Sequence, residues 1–394
     1  MRWLTILMCV VGCSTPTAAT SPRAAAPVES KGLVLGRVAS LHSAVLDEDR
    51  EYAVSLPASY DRSSTRRYPV VYVLDGEKQF RHTAVDAAYL ANVGEMPEAI
   101  VVGITSTVRV RDFSPTTSTE WVGGGGAGNF RKFLSSELIP AIERAYRTDG
   151  FRILVGHSAG GLFALYCLAV DPHLFQAMLA ISPNLHWDNR QPIRALAEAI
   201  PTRSDVQNFV YFASSDDSGE ALDEDHALAA LLDTGAGHGI RGIYQPFPTT
   251  SHGGSALVGV IDGLRQLFAG YAVPQEVSAR GLAAVEAYYA ELSKKLGWSA
   301  AVPSQVMSDI ALDMLQAGKT AEGFELLQRI LRDDPNSPDG YNSLSEAYQK
   351  TGDLAAALVA AKKARELAAR FDASNLVYYD QRIARVLRKQ AAAK

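Results

Sequence analysis

The stretch that decides the fold is ILVGHSAGGLFALY, residues 153–166. An apolar strand-like run leads into Gly-x-Ser-x-Gly, and a helix-like apolar run follows. The five-residue pattern alone is weak evidence in a chain with 31 glycines. Its strand–turn–helix setting, however, is what a nucleophile elbow requires, because that sharp turn presents a serine at a sheet edge. The stretch therefore predicts that Ser158 is a nucleophile, and the alternative is a glycine-rich turn without chemistry.

Strand-like and helix-like runs alternate on both sides of this stretch, from residue 33 to residue 272. Continuous apolar runs such as Tyr68–Leu74 suit strands buried on both faces of a parallel sheet. The alternation predicts an α/β fold with a mostly parallel eight-stranded sheet flanked by helices, as in the α/β-hydrolases. The predicted strands are Leu33–Leu41, Glu51–Leu56, Tyr68–Leu74, Ala99–Thr105, Phe151–Val155, Ala177–Ser182, Phe209–Ala213 and Gly242–Phe247.

Residues 273–394 have a different character, because their pattern is almost wholly helical. The positions of Tyr341, Leu344, Tyr348, Gly352 and Ala357 match a tetratricopeptide repeat, and a divergent unit stands 34 residues earlier. This predicts a small all-α tetratricopeptide-like domain, and the alternative is a generic helical hairpin. Such a domain could recruit a protein partner, dimerise the protein or cover the sheet. We expect the covering role, since two repeats form only a short groove.

Serine needs a base, and three histidines follow Ser158 far enough along the chain to supply it. His226 falls in an acidic helical stretch, and His238 comes before the last strand. His252 lies just after that strand, in a predicted loop, where this fold places its base. His252 is therefore the predicted base.

The acid that orients the base is expected just after the strand Phe209–Ala213. Asp217 is the favoured candidate, and Asp216 and Glu220 remain alternatives. The oxyanion hole is expected from the backbone N–H groups of Ala159 and Glu77, since one donor follows the nucleophile and the other follows the third strand.

The chain resembles a family of α/β-hydrolase esterases that includes the enterobactin and bacillibactin esterases and esterase D. The resemblance covers roughly residues 33–270. It rests on the elbow and on four further segments, Tyr72–Gly76, Arg109–Thr116, the helix Phe133–Tyr146 and Ile181–Trp187. Several members similar to this chain also carry a C-terminal tetratricopeptide-like segment.

Three residues are candidates for the substrate pocket: His157, Trp187 and Arg111. The resemblance implies a tryptophan near the pocket at Trp187, whose alternative role is core packing. Arg111 could contact an anionic substrate or pair with Asp112 or another carboxylate.

This set of residues predicts a serine esterase that works through an acyl-enzyme on a small-molecule ester. The resemblance adds siderophore esters to other envelope-accessible esters as candidate substrates. Neither a cofactor nor a metal is implied. Two alternatives remain: an acyltransferase, and a non-catalytic interaction protein that works through the helical segment.

The first residues predict export and a membrane anchor. Residues 1–12 read as a lipoprotein signal peptide ending before Cys13, the expected lipidation site, and residues 13–32 read as a flexible tether. We therefore expect a lipoprotein of the bacterial cell envelope, on the outer membrane facing the periplasm. Net charge is −5 without a basic stripe, so nucleic acid is not an expected partner.

Overall fold

Eight strands form one sheet in the order β1-β2-β4-β3-β5-β6-β7-β8. The computed structural model describes residues 34–118, 122–204 and 206–393. β1 and β2 are antiparallel to their neighbours, and β3 to β8 run parallel to one another. The strands are β1 (Arg37–Ser43), β2 (Glu48–Ser55), β3 (Tyr68–Leu74), β4 (Ile100–Ile104), β5 (Thr148–His157), β6 (Ala177–Ile181), β7 (Asn208–Ser214) and β8 (Ile240–Pro246).

Helices cover both faces of the sheet, which explains the continuous apolar runs in its central strands. Every residue of β3, β4, β6 and β7 is buried. The helices between the strands and after the last one are α1 (Gly76–Asn92), α2 (Arg109–Phe113), α3 (Ala127–Phe133), a π-helical turn (Leu134–Leu138), α4 (Ile139–Ala145), α5 (Ala159–Val170), α6 (Trp187–Ala199), α7 (Glu220–Thr234) and α8 (His252–Leu267). The predicted α/β-hydrolase fold and its eight strands are confirmed.

The C-terminal part is all helical, as predicted. Its helices are α9 (Gln275–Ser278), α10 (Leu282–Leu296), α11 (Ser304–Gln316), α12 (Thr320–Asp333), α13 (Pro338–Thr351), α14 (Leu354–Phe371) and α15 (Leu376–Ala392). α13 begins 34 residues after α11, and α14 begins 34 residues after α12. Two helical hairpins thus follow one another at the repeat length read from the sequence.

The helical segment shares a hydrophobic core with one face of the sheet. Tyr211 of β7, Val260 of α8, Val285 of α10 and Ile310 of α11 belong to one buried cluster. The Tyr289 hydroxyl donates to the carbonyl oxygen of Tyr271 at 2.6 Å. The described residues from Leu35 onward form one compact unit. The domain boundary between residues 272 and 273 stays a prediction.

The predicted signal peptide, Cys13 and tether lie outside the described residues. In the described ranges, no helix has both the length and the apolar character needed to cross a bilayer.

Candidate active site

The turns after the parallel strands meet at the carboxyl-terminal edge of the sheet, where α/β folds place their sites. Ser158 lies there between β5 and α5, with φ 59° and ψ −117°. A left-handed backbone at a non-glycine residue is strained and persists only where its surroundings fix it. The Ser158 N–H donates to the Ile181 carbonyl at 2.9 Å, and its own carbonyl accepts from Asn184 at 3.2 Å and Leu162 at 3.0 Å. The sharp turn predicted for the nucleophile is therefore present.

Glycine at position 156 is required by close packing inside this turn. A Cβ there would lie 2.1 Å from the carbonyl oxygen of Gly160. At Gly161, a Cβ would meet Pro183 at 3.0 Å, whereas at Gly160 the nearest atoms are 3.5 Å away. The close approach of the backbone thus requires glycine at position 156. On the helix side of the turn, an added Cβ would be more crowded at Gly161 than at Gly160.

His252 is the first residue of α8, so the prediction that it lies in a loop was wrong. Ser251 caps the helix with its side-chain oxygen, which accepts from the Gly254 N–H at 3.3 Å. This cap begins the helix directly after the turn that follows β8. The base candidate is therefore fixed by a helix start rather than by a flexible connection.

His157 holds the backbone of His252 close to the elbow. Its Nε2 donates to the His252 carbonyl oxygen at 2.7 Å, and Ser255 Oγ donates to the same oxygen at 2.8 Å. The two imidazole rings are 4.7 Å apart. Burial lowers the pKa of His157, which favours the neutral ring. His157 thus supports the base candidate, a role that the sequence did not indicate.

The His252 side chain is exposed and makes no hydrogen bond with the residues that the structure describes. The contacts with His157 bring His252 close to the residue that precedes Ser158, while no hydrogen bond within the described residues fixes the imidazole. Catalytic hydrogen bonds often tighten only when substrate binds.

The three acid candidates lie between the end of β7 and the first residue of α7 but have different surroundings. Asp217 Oδ2 accepts from the N–H and the hydroxyl of Ser215, both at 3.0 Å. Glu220 pairs with Arg190 at 3.1 Å, and the Asp216 side chain is exposed. The Asp216 N–H donates to the Thr250 carbonyl at 2.9 Å, which ties this turn to the segment before His252. No candidate is hydrogen-bonded to His252 in the described chain.

A second carboxyl lies behind Asp217. Asp225 of α7 is only 5% exposed, and its Oδ2 has no hydrogen-bond partner within the described ranges. Burial, together with the charge of Asp217, raises the pKa of Asp225 to about 7. The turn that carries Asp217 therefore faces a carboxyl whose pKa lies well above the usual range for aspartate.

The two predicted oxyanion donors begin helices. Ala159 is the first residue of α5, and Glu77 is the second residue of α1. The first N–H groups of a helix have no partner within the helix, and the helix dipole favours negative charge there. Both groups are thus suited to bind an oxyanion, and their assignment to the oxyanion hole stays a prediction.

One side chain that the sequence left without a role joins these two segments. Arg109 donates to both carboxylate oxygens of Asp75, from Nε at 2.7 Å and from Nη2 at 3.0 Å. Nη2 also donates to the His157 carbonyl at 3.1 Å. Arg109 is the first residue of the segment Arg109–Thr116 that supports the family resemblance. The sequence gave no indication that it would contact Asp75 or His157.

The other two pocket candidates make structural contacts. Trp187 is 4% exposed and donates from Nε1 to Thr116 Oγ1 at 3.1 Å. Arg111 donates to Glu48 and to Asp112, at 2.7 Å in each case, and these bonds raise its pKa. These contacts match the alternative roles considered for both residues, core packing for Trp187 and carboxylate pairing for Arg111.

His186, Glu220 and Glu224 bring three potential metal ligands within 4.8 Å of one another. Arg190 already pairs with both carboxylates, at 3.1 Å with Glu220 and at 2.9 Å with Glu224. The guanidinium supplies the positive charge that a metal ion would otherwise bring.

A cleft of about 830 Å³ lies away from Ser158, between the sheet and the helical segment. Its walls include Ala99 before β4, Tyr271 and Tyr289, and none of the candidate catalytic residues lines it. The volume of this cleft is therefore no guide to the ester-binding site.

A mostly parallel sheet, a strained serine between strand and helix, and a histidine beside it define a serine hydrolase of the α/β class. Residues 43–230 match the model of the esterase family described as "Putative esterase". The structure of an IroE-like serine hydrolase from Shewanella oneidensis is 30% identical, with a TM-score of 0.67, over 75% of this chain and 99% of that one. The chain belongs to this esterase family.

Two curated relatives are similar over part of the chain. The ferri-bacillibactin esterase BesA of Bacillus subtilis is 35% identical over 36% of this chain and 56% of its own length. The apo-salmochelin esterase of Escherichia coli O6:H1 is 24% identical over 57% of this chain and 77% of its own length. The chain thus spans little more than half of the Bacillus relative.

Proposed function

We propose that this protein hydrolyses carboxylic esters through an acyl-enzyme on Ser158. The observation that carries the proposal is the strained backbone of Ser158, φ 59° and ψ −117°, at the start of α5. The preceding residue, His157, has its ring 4.7 Å from that of His252. A strained residue held in place by its neighbours is a mark of a functional site. Membership in the esterase family supports the same chemistry.

The chemistry begins when the Ser158 hydroxyl attacks the ester carbonyl carbon and His252 accepts the hydroxyl proton. The tetrahedral oxyanion binds the N–H groups of Ala159 and Glu77. His252 then protonates the leaving alcohol. In the second half, water attacks the acyl-enzyme with His252 again as base, and His252 returns the proton to Ser158 as the acid is released. Asp217 is the proposed partner of the His252 imidazole.

The proposed substrates are siderophore esters. The names of both curated relatives describe siderophore esterases, and the site here retains the serine and histidine such chemistry needs. A screen sets a catecholate trilactone beside p-nitrophenyl esters of increasing chain length. A higher kcat/KM for the trilactone supports the proposal, and a preference for the simple esters contradicts it.

Labelling with a fluorophosphonate probe tests the nucleophile. The wild-type protein should be labelled and should release p-nitrophenol from its ester. Ser158→Ala should do neither, while Ser136→Ala, which changes an exposed serine of the π-helical turn, should behave as wild type. An unlabelled wild type, or a labelled Ser158→Ala, would contradict the proposal.

The helical segment is proposed to cover the sheet rather than to recruit a partner or to dimerise the protein. The cluster that joins Tyr211 and Val260 to Val285 supports this role, because removing the cover would expose apolar surface. Ending the chain after Ala272 should therefore cause aggregation or a lower Tm. A truncated protein that stays soluble, active and equally stable would show the covering role to be wrong.

Attachment to an envelope membrane through lipid on Cys13 is also proposed, with the protein facing the periplasm. The support is the sequence alone: an apolar run ends at Cys13, and a Ser-, Thr-, Ala- and Pro-rich stretch follows. Cys13→Ala should move the protein from the membrane fraction to the soluble fraction. Membrane attachment that survives this change would contradict the anchor.

A further inference from the structure

The oxyanion site is assembled from two segments that are distant in sequence. One is the turn at Asp75–Glu77, which follows β3, and the other is the elbow at His157–Ala159, which follows β5. An oxyanion hole works only if its donors are held within about 0.5 Å of the productive geometry. Pairing of β3 with β5 aligns the two strands up to Val73 and Val155. A contact between the turns that follow would fix the separation of the donors themselves.

Arg109 makes that contact from a third segment, the start of α2. Its guanidinium binds both oxygens of the Asp75 carboxylate on one segment and the His157 carbonyl on the other, with N–O distances from 2.7 to 3.1 Å. The bidentate pair fixes orientation as well as distance, since two parallel hydrogen bonds resist rotation. The Arg109 guanidinium also lies 5.8 Å from the Phe113 ring centroid.

Asp75 carries this constraint to the backbone N–H groups that follow it. Its side chain is 3% exposed, and its backbone is left-handed, with φ 53° and ψ 47°. Ser106 Oγ donates to the same carboxylate at 2.7 Å, and the Ser106 N–H donates to Glu77 at 3.1 Å. A left-handed conformation at aspartate persists only when its surroundings enforce it. Here the enforcing contacts come from Arg109 and Ser106.

We propose that Arg109 is a positioning residue that keeps the Asp75–Glu77 turn and the elbow at one fixed separation. It acts through Asp75 and His157 on the N–H groups of Glu77 and Ala159, and it does not bind the substrate. Arg109 therefore affects the stabilisation of the transition state, which appears in kcat, more than substrate binding. The inference rests on the proposed esterase function.

The test compares Arg109→Gln and Arg109→Lys in the full chain, with neutral p-nitrophenyl acetate as substrate. We expect kcat to fall about 100-fold in Arg109→Gln, with KM within about threefold of wild type, as for the loss of an oxyanion donor. Arg109→Lys should also lose activity, because an ammonium group cannot replace a planar bidentate fork. Asp75→Asn should lose a similar factor, and the double variant should lose little more than either single one.

Arg131→Gln is the matched control. Arg131 pairs with Asp171 at 2.5 Å, with 29% of its side chain exposed against 33% for Arg109. This pair lies beyond the other end of α5 from Ser158. The control should match Arg109→Gln in Tm and keep the wild-type kcat. Millimolar guanidinium should restore part of the activity of Arg109→Ala and leave Arg131→Ala unchanged.

Two results would overturn the proposal. An Arg109→Gln variant whose kcat on the neutral ester is unchanged, but whose KM for an anionic ester rises, would make Arg109 a substrate contact. A loss of kcat no larger than in Arg131→Gln would leave it with a purely structural role. Failure of the esterase function itself looks different, because wild-type protein would then neither hydrolyse the ester nor react with the fluorophosphonate.

Discussion

The two halves of the candidate site are fixed by different means. The nucleophile segment, residues 156–161, is held by its own backbone: Ser158 is strained, its N–H and carbonyl are bonded, and a Cβ at Gly156 would meet a carbonyl oxygen at 2.1 Å. The base segment, residues 250–252, is held at its main chain while the His252 imidazole stays exposed and unbonded within the described residues. Backbone constraint thus fixes Ser158, the candidate nucleophile, whereas no hydrogen bond within the described residues fixes the imidazole of His252, the candidate base.

The largest expected effect comes from removing the base. His252→Gln should lower kcat by about 10⁴-fold or more, because the serine hydroxyl then has no proton acceptor. Thermal unfolding should change little, since the side chain is exposed. Steady-state hydrolysis of a p-nitrophenyl ester measures the loss. If His252→Gln keeps a tenth of the wild-type rate, another group is the base and the comparison fails.

Two glycine-to-alanine substitutions test whether backbone packing matters more in the Ser158 segment than in the His252 segment. Gly156→Ala should lower activity about 100-fold or more and also lower Tm, because the new Cβ collides with backbone at 2.1 Å. At Gly253, next to His252, nothing lies within 4 Å of an added Cβ. Gly253→Ala should therefore keep both activity and Tm. Equal effects of the two substitutions would show that the contrast between the halves is not real.

Substitution of the acid candidates should have a smaller effect and identifies the partner of His252. Asp217→Asn is expected to lower kcat/KM about 100-fold, since the imidazolium would lose its stabilising carboxylate. Asp216→Asn and Glu220→Gln should each stay within about threefold of wild type. A larger loss in either of these would move the acid role to that residue. Wild-type activity in all three would mean that His252 works without a carboxylate from this turn.

The smallest expected effect is on stability and concerns Asp225, which lies behind Asp217. Its folded-state pKa of about 7 lies above the ordinary value of 3.8, so the native state holds a proton that the unfolded chain releases. The contribution of protonated Asp225 to the free energy of unfolding is fully present below about pH 4 and is lost as the pH rises through 7. Asp225→Asn should therefore be more stable than wild type at pH 8, by about 1–2 kcal/mol.

Thermal unfolding at pH 5 and pH 8 provides the measurement for Asp225→Asn. The variant should show a smaller drop in Tm between these pH values than wild type. Asp233→Asn, at an exposed site near the end of the same helix, should follow the wild-type curve. A variant at position 225 that is destabilised equally at both pH values would contradict the raised pKa.

The sequence predicted the sheet well because its signals are local. The run YPVVYVL became the fully buried β3 with the predicted bounds, and the pattern around Ser158 became the strand, turn and helix expected. The 34-residue spacing likewise became two successive hairpins. Such patterns need only a few neighbouring residues to define a conformation.

Other features could not be predicted from the sequence because they depend on which distant segments come into contact. The start of α8 at His252 was missed, although Ser251 offered a capping signal. No spacing indicated that Arg109 would hold Asp75 and His157, which lie on turns after two different strands. The choice among Asp216, Asp217 and Glu220 likewise depends on side-chain directions within the short segment from the end of β7 to the start of α7.

By itself, the sequence determined the α/β class, the strand–turn–helix around Ser158 and the repeated helices, because each is encoded in a short pattern of apolar residues and glycines. The tertiary structure alone decided which side chains meet around Ser158. His157 contacts His252, Arg109 bonds to both Asp75 and His157, and Asp225 lies behind Asp217. It also decided that α10 and α11 complete the core on one sheet face. The reason is physical: local patterns fix backbone conformation, whereas contacts between distant segments are settled only when the whole core packs.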